Sequence, residues 1–350
     1  MVRENMTSRE RWSAVLKREK PDRLVMDYWA TGEVDIKLME YTKCQTMREF
    51  FNLYHIDRPI IIGPAYIGPA LESNTDMYGL KGRNVNYKDG VYYETINHPL
   101  AEYTSVEEID SKYTWPSIDW FDFSVIKKQL EGNEKYPVQG GGSEPFLVYK
   151  MLRGDEQAFI DMVEEPEIVE YCLGKMFDLA YEHTSRILEE ANGAVTYVYV
   201  AEDMGSETSL MYSPVQIKKF LLPGMKRMAR LAHQAGAYVF HHNDGAVRAV
   251  IPDLIDTVGI DILNPIQYNC SGMDRQELKD NFGNKIIFHG AMDNQYTMPF
   301  GSVEEVKALV RENIDILGRN GGYILAPCHN LQPITPVENI LALYEEGYLN

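Results

Sequence analysis

Short apolar segments of β type alternate with amphipathic helical segments along most of this chain. In the second half, each of five strand-like segments is followed by a stretch in which apolar residues recur at helical spacing. The five predicted strands cover residues 195–200, 238–240, 260–263, 286–289 and 323–326. The repeated pattern of strand and helix predicts a series of β/α units.

Helix-start signals agree with this pattern. Ser213 followed by Pro214 is typical of an N-cap with proline at the first helical position. Ser302 and Glu305 have the spacing of a capping box. Pro223 lies inside a helical pattern and predicts an interruption there, since proline has no backbone N–H to donate.

The first half of the chain has a weaker pattern of the same kind. Residues 23–28 and 59–62 have strand character, and a third short strand is predicted at Val138. Eight strands that alternate with helices predict an α/β protein with a single closed (β/α)₈ barrel over residues 1–350. Residues 1–20 would form an N-terminal helical extension, and residues 78–103 a hairpin-like insert after the second strand.

Composition excludes several classes of protein. The 350 residues include 45% hydrophobic ones, enough for a large core, and 34 basic against 52 acidic side chains give a net charge of −18. This charge argues against a nucleic-acid partner and against an anionic membrane surface. No apolar stretch has the length of a membrane helix, and the first ten residues do not resemble a signal peptide. The four cysteines form no C-x-x-C pair, so we expect a reducing, cytoplasmic location.

Polar residues follow the predicted strands at the end where a barrel of this class has its active site. They are Asp27, Glu202, Asp203, residues 241–245, Asn264, Gln267, His289, Asp293 and residues 328–330. Histidine, carboxylate and thiolate from different strands are the ligands of a catalytic zinc site with one open position. His242, Asp244 and either Cys328 or His329 would form such a set, with Glu202 as a further oxygen donor. A histidine after a strand is also commonly a hydrogen-bonded loop residue.

The carboxylates allow other interpretations as well. Asp27 ends an apolar strand, where an acid is costly unless it is paired or lies at the barrel mouth. Glu202 and Asp203 are adjacent, so only one of them can point into the mouth. Asp293 would be either a functional acid or the cap of a turn.

Three motifs resemble the uroporphyrinogen decarboxylase superfamily. One is Thr7-Ser8-Arg9-Glu10-Arg11-Trp12 with Pro21-Asp22-Arg23 after it. The second is residues 242–248 followed by 251–255 and 261–265, and the third is residues 322–330 with Gln332-Pro333. The resemblance extends over nearly the whole chain and independently implies the (β/α)₈ barrel. At the family level it also implies a homodimer.

The superfamily includes true decarboxylases and corrinoid-linked methyltransferases. The decarboxylases hold a polycarboxylate with arginines near the first strand, whereas residues 26–33 here contain no arginine and two acids. The resemblance therefore favours the methyltransferases, which serve methanol, methylamine or methoxyaromatic metabolism in anaerobes. Thiol-methylating members hold zinc with an H-x-C pair and a distant cysteine. Here the pair is His242-x-Asp244, and the distant position falls on His329, with Cys328 beside it.

Together these features predict a zinc enzyme that moves a methyl group from a small methoxylated or N-methylated substrate to the cobalt of a separate corrinoid protein. Asp27 or Glu202 would handle the proton, with Asp293 as a further catalytic acid. Substrate would contact Tyr28, Trp29, Asn264 and Gln267. Two alternatives remain: a metal-free lyase acting on a small carboxylic acid, with His329 and Asp293 as acid and base, and a barrel that binds a tetrapyrrole or corrinoid without chemistry.

Overall fold

A computed structural model describes residues 4–87 and 90–350. Residues 1–3 of the predicted extension and residues 88–89 of the predicted insert lie outside the described residues. The strands are β1 (Val25–Met26), β2 (Ile60–Ile62), β3 (Ala65–Tyr66), β4 (Gly82–Tyr87), β5 (Gly90–Thr95), β6 (Phe121–Asp122), β7 (Val138–Ser143), β8 (Tyr197–Val200), β9 (Tyr238–His242), β10 (Ile262–Asn264), β11 (Ile287–Met292) and β12 (Tyr323–Pro327).

Helices surround these strands and connect most of them. The α-helices are α1 (Ser8–Leu16), α2 (Gly32–Thr42), α3 (Met47–Leu53), α4 (Val106–Lys112), α5 (Ile126–Leu130), α6 (Pro145–Arg153), α7 (Asp155–Glu164), α8 (Pro166–Ala191), α9 (Pro214–Gln216), α10 (Leu222–Gln234), α11 (Ile251–Asp253), α12 (Arg275–Phe282), α13 (Thr297–Phe300), α14 (Val303–Leu317) and α15 (Val337–Leu349). Short 3₁₀ segments span Ile118–Trp120 and Phe123–Val125, and π-helical turns span Ile217–Leu221 and Leu254–Val258.

The central sheet has eight strands in the order β1-β12-β11-β10-β9-β8-β7-β2, and all neighbours are parallel. Each of these strands overlaps one of the eight predicted from the sequence, which confirms the α/β barrel class. Within the described residues no strand pairing joins β1 to β2. That seam is bridged by the amide of Asp57, which donates to the carbonyl of Met26 at 2.7 Å.

The helix signals also agree with the structure. Capping boxes are formed at Thr7, Ser213 and Ser302. The helix that begins at Pro214 changes to a π-helical turn immediately before α10, in which Pro223 occupies the first turn. The missing N–H of proline accounts for this interruption. In the insert, β4 and β5 form an antiparallel hairpin, as predicted.

The lower half of the barrel interior is a closed apolar core. Helix α1 inserts Trp12 below the strands, where its ring stacks on Tyr197 at 5.5 Å between centroids. The indole Nε1 of Trp12 donates to the carbonyl of Asp57 at 2.9 Å. The other buried members of this cluster are Val15, Leu16, Val25, Phe240, Ile262, Ile287 and Ile324. The interior is therefore filled by apolar side chains toward the amino ends of the strands. We call the carboxyl ends of the strands the rim.

Among the helices in the described part of the chain, none combines the length and apolar character that crossing a membrane requires.

Replacing Trp12 with alanine should destabilise the fold, because it removes the aromatic side chain that fills the base of the barrel. We expect the free energy of unfolding to fall by about 3–5 kcal/mol, the usual cost of a buried tryptophan. Urea denaturation measures it. Phe300→Ala is the control, since that ring is 69% exposed and its loss should change stability by about 0.5 kcal/mol or less. Equal midpoints for the two variants would contradict the role given to Trp12.

Candidate metal centre

Three side chains from two strand ends converge at the rim. His242 ends β9, Asp244 lies two residues later, and His329 follows β12. One ligand atom from each lies within 4.8 Å of the others. The Oδ2 atom of Asp244 is 3.8 Å from Nε2 of His242 and 3.9 Å from Nε2 of His329. Two imidazole nitrogens and a carboxylate oxygen are a set that zinc accepts. We call these residues the metal triad.

Cys328 does not belong to this group. Its side chain is buried, and its thiol donates to the carbonyl of Ile266 at 3.4 Å. Burial, together with the charge of Asp293, raises the pKa of the thiol far above its ordinary value, so the thiolate needed for metal binding is disfavoured. Of the two neighbours proposed from the sequence, His329 is therefore the one that faces Asp244.

His242 is held by two aromatic rings and by a hydrogen bond at one edge of its own ring. Its ring stacks with Trp29 at 5.6 Å and with Tyr199 at 6.0 Å between centroids. Its Nδ1 atom lies 2.6 Å from Oδ1 of Asn264. Because that oxygen only accepts, Nδ1 carries the hydrogen and Nε2 presents a lone pair toward Asp244. Neutral histidine in this form is a metal ligand.

The hydrogen bonds continue from His242 into the barrel. Nδ2 of Asn264 donates to Nδ1 of His289 at 2.7 Å, and Nε2 of His289 lies 3.1 Å from Oδ2 of Asp27. Asn264, His289 and Asp27 are all completely buried. Asn264 was predicted to contact substrate, but both ends of its amide are bonded to histidines. It therefore lies behind the metal triad.

Asp27 is ionised and accepts several hydrogen bonds, so it does not act as a proton donor. Its carboxylate accepts from Nε1 of Trp29 at 2.9 Å and from Arg58 at 3.3 Å. Burial opposes ionisation, but the charge of Arg58 and the bond from His289 outweigh it and lower the pKa of Asp27. Burial lowers the pKa of His289, so that ring stays neutral. The sequence predicts a proton-carrying role for Asp27, and this environment does not suit that role.

The adjacent acids Glu202 and Asp203 point in different directions, as the alternation of side chains predicts. Asp203 is the one at the mouth: its Oδ1 lies 3.9 Å from Nε2 of His242 and accepts from the amide of Asp244 at 2.9 Å. Glu202 is buried, and its Oε1 accepts from the amide of Phe146 at 2.8 Å, in the first turn of α6. Burial and the nearby Glu144 raise the pKa of Glu202 well above its ordinary value. The sequence predicts a catalytic role for Glu202, whereas the acid that faces His242 is Asp203.

Glu144 is a further acid at the rim that the sequence analysis missed. It follows β7 directly and precedes α6. Burial, together with the charge of Asp203, raises the pKa of Glu144 to about 7. The signal that could have identified it is its place after a strand, but the prediction reached only Val138, and β7 extends to Ser143.

The two predicted aromatic contacts lie on opposite sides of the strand. Trp29 stacks on Phe240 and His242, so it lines the mouth. Tyr28 points outward: its hydroxyl donates to Asp35 at 2.6 Å, and its ring packs against Phe51. Tyr28 therefore contributes to the interface between barrel and helices and not to the rim.

Two more predicted residues shape loops at the rim. The carboxylate of Asp293 accepts from the amides of Gln295, Tyr296 and Thr297 at 2.8–3.1 Å, and so caps the turn that leads into α13. Of the two interpretations of Asp293, the geometry favours the cap. Oε1 of Gln267 accepts from the amide of Gly245 at 3.0 Å, which fixes the turn after Asp244.

Comparison with known proteins gives one family match. Residues 82–347 match the model of the family described as uroporphyrinogen decarboxylase (URO-D). None of the curated proteins matches the chain.

Among solved structures, a methyltransferase from Methanosarcina mazei is similar, with a TM-score of 0.70, 17% identity and 98% of each chain covered. SrfJ from Salmonella typhimurium gives a TM-score of 0.42 at 12% identity, over 93% of this chain and 74% of that one. The first likeness shows the fold, and the second is too distant to add to it.

Replacing Glu144 with glutamine should change how stability depends on pH in the metal-free protein. The pKa of Glu144 is about 7 when folded and 4.5 ordinarily, so the unfolded chain releases this proton first. The native protein should therefore lose stability as pH rises from 4.5 to 7, and Glu144→Gln should lose less. Urea denaturation at several pH values, with EDTA present, measures the difference.

Glu108→Gln is the matched control for this series. The hydrogen bond with Lys112 is the main cause that lowers the pKa of Glu108 to about 2. The contribution of Glu108 to the free energy of unfolding therefore changes with pH only below pH 4.5. A Glu144→Gln series that runs parallel to the native one across pH 4.5–7.5 would contradict the burial of this carboxyl.

Proposed function

This chain belongs to the uroporphyrinogen decarboxylase family, and from that membership we propose that it is a zinc-assisted methyltransferase. It moves a methyl group from a small methoxylated or N-methylated donor to the cobalt of a separate corrinoid protein. The observation that carries the proposal is the convergence of His242, Asp244 and His329 at the rim. The fold shared with the Methanosarcina mazei methyltransferase over 98% of both chains supports it.

The donor set fits zinc. Three protein ligands with one open position are typical of catalytic zinc sites, and nitrogen and carboxylate ligands are both common there. His242 already presents the bare Nε2 that such a site needs, because its Nδ1 is bonded to Asn264. Zinc bound there would act as a Lewis acid toward the oxygen or nitrogen atom from which the methyl group is removed. Without a thiolate the set is hard, which suits an ether oxygen better than a thiol.

In the proposed reaction the bond between the methyl carbon and its oxygen or nitrogen breaks. The carbon–cobalt bond forms with an electron pair from cobalt(I) of the corrinoid, and the leaving heteroatom takes up a proton. Glu144 supplies that proton, since its pKa near 7 lets it hold and release one at neutral pH. Asp27, in contrast, stays ionised beside Arg58.

The walls of the mouth agree with a small donor. Trp29 and Tyr199 are partly exposed, and both rings stack with His242. Aromatic walls of this kind suit a methoxylated ring or an N-methyl group. The same region holds the carboxylates of Asp203 and Asp244, and Arg58 is paired with Asp27. A polycarboxylate such as uroporphyrinogen would be repelled there.

Zinc-loaded protein should methylate free cob(I)alamin when supplied with a donor from a panel of methoxylated aromatics and N-methylated amines. The readouts are the absorbance of methylcobalamin and the mass of the demethylated product. His242→Ala and Asp244→Asn should lose bound zinc and lower the rate at least about 100-fold, because each removes a ligand. Cys328→Ser should keep its zinc and its rate, since the thiol lies outside the metal triad.

Two outcomes would contradict the proposal. Turnover of a small acid that is insensitive to chelator, with no methyl transfer from any donor, would favour the lyase. A shift in cobalamin absorbance with no demethylated product from any donor would favour a binding protein without chemistry.

A further inference from the structure

We infer that Asp27, His289 and Asn264 act as positioning residues that fix the tautomer and the aim of His242 toward the metal. We call these three residues the relay. The inference rests on the proposed zinc site, and it adds residues that touch neither metal nor substrate. It comes from the unbroken series of hydrogen bonds that joins Asp27 to His242 through two completely buried side chains.

With Asp27 ionised and His289 neutral, only one arrangement of hydrogens satisfies every contact in the relay. The carboxylate of Asp27 accepts, so Nε2 of His289 carries the hydrogen and Nδ1 is bare. That bare nitrogen requires a donor, and the Nδ2 amide of Asn264 lies 2.7 Å away. The amide oxygen of Asn264 then faces Nδ1 of His242 at 2.6 Å and requires a hydrogen there. The charge at Asp27 thus determines which nitrogen of His242 is free.

The opposite orientation of Asn264 would give His242 the wrong tautomer for a metal and would leave the contact between His289 and Asp27 unmet. Its amide NH₂ would face Nδ1 of His242, and the hydrogen of that ring would move to Nε2, which could not bind a metal. At the other end, the oxygen would require Nδ1–H on His289, and the bare Nε2 would then face the carboxylate of Asp27 with no hydrogen between them. Because Asp27 and His289 are completely buried, leaving that contact unmet would be costly.

The same carboxylate also fixes the ring that covers His242. Oδ2 of Asp27 accepts from Nε1 of Trp29 as well as from His289. Trp29 in turn stacks on His242 with an angle of 22° between the planes. Asp27 therefore restricts the orientation of His242 in two ways: it determines which ring nitrogen of His242 carries the hydrogen, and it holds Trp29, which stacks on that ring. Arg58 supplies the positive charge that keeps Asp27 ionised.

The first test uses the metal-free native chain and does not depend on any reaction. Nitrogen-15 labelling of the eight histidines and long-range proton–nitrogen NMR report which ring nitrogen carries the hydrogen. The expected result is Nδ1–H for His242 and Nε2–H for His289, with His242→Ala and His289→Phe assigning the signals. Nε2–H on His242 would overturn the inference.

The second test measures affinity for cobalt(II), a spectroscopic substitute for zinc, by competition with a chelator. Asn264→Leu removes the acceptor, and we expect affinity to fall about 10–100-fold, the usual effect of losing such a supporting bond. Asn264→Asp keeps an oxygen toward His242 but loses the donor to His289, so its affinity should lie between that of Asn264→Leu and that of the native chain. His289→Phe should weaken binding as well, since it breaks the relay one step away.

The matched control is His241→Phe. His241 is also buried, lies next to His242 on β9, and bonds the carbonyl of Val200 outside the relay. The His241→Phe variant should be less stable than the native chain but should keep the native affinity for cobalt(II). Native affinity in Asn264→Leu and His289→Phe would overturn the inference. If both tests succeed and no donor is demethylated, the relay holds and the methyltransferase proposal fails, so the two are separable.

Discussion

A single buried charge, the carboxylate of Asp27 at the end of the first strand, determines how the mouth of this barrel is arranged. A carboxylate with no exposure to water is too costly unless opposite charge and hydrogen bonds surround it. Arg58 supplies the charge, and Trp29 and His289 supply bonds. Each of these partners is then constrained, and through Asn264 the constraint reaches the proposed metal ligand.

The barrel makes this arrangement possible because its parallel strands end at one rim. Residues more than 260 positions apart along the chain, such as Asp27 and His289, meet there within 3.1 Å. The base is closed by Trp12 and its apolar neighbours, so the strands that carry His242 and Asn264 rest on packed side chains. The packed base stabilises the fold, and the polar rim at the other end of the same strands carries the candidate site.

The sequence predicted the barrel, and it predicted a metal site of His242, Asp244 and either Cys328 or His329, because both predictions follow from where apolar segments stop. The sequence did not predict which of two adjacent side chains points into the barrel. Tyr28 points outward and Trp29 inward. Asp203 faces His242, whereas the sequence had pointed to Glu202. The alternation of side chains predicts that two neighbours point in different directions, but beyond the end of a strand it does not show which of the two points into the barrel. Glu144 was missed because three glycines hid the true end of its strand. Hydrogen bonds between strands, such as those of Asn264, leave no periodic signal.

X-ray absorption at the zinc edge tests the proposed metal centre most directly. For zinc-loaded protein we expect only nitrogen and oxygen neighbours at about 2.0–2.2 Å, from His242, Asp244 and His329, with imidazole scattering that is reduced in His329→Ala. A sulfur neighbour at about 2.3 Å would mean that Cys328 turns toward the metal, and would contradict the hard donor set on which the proposed chemistry depends.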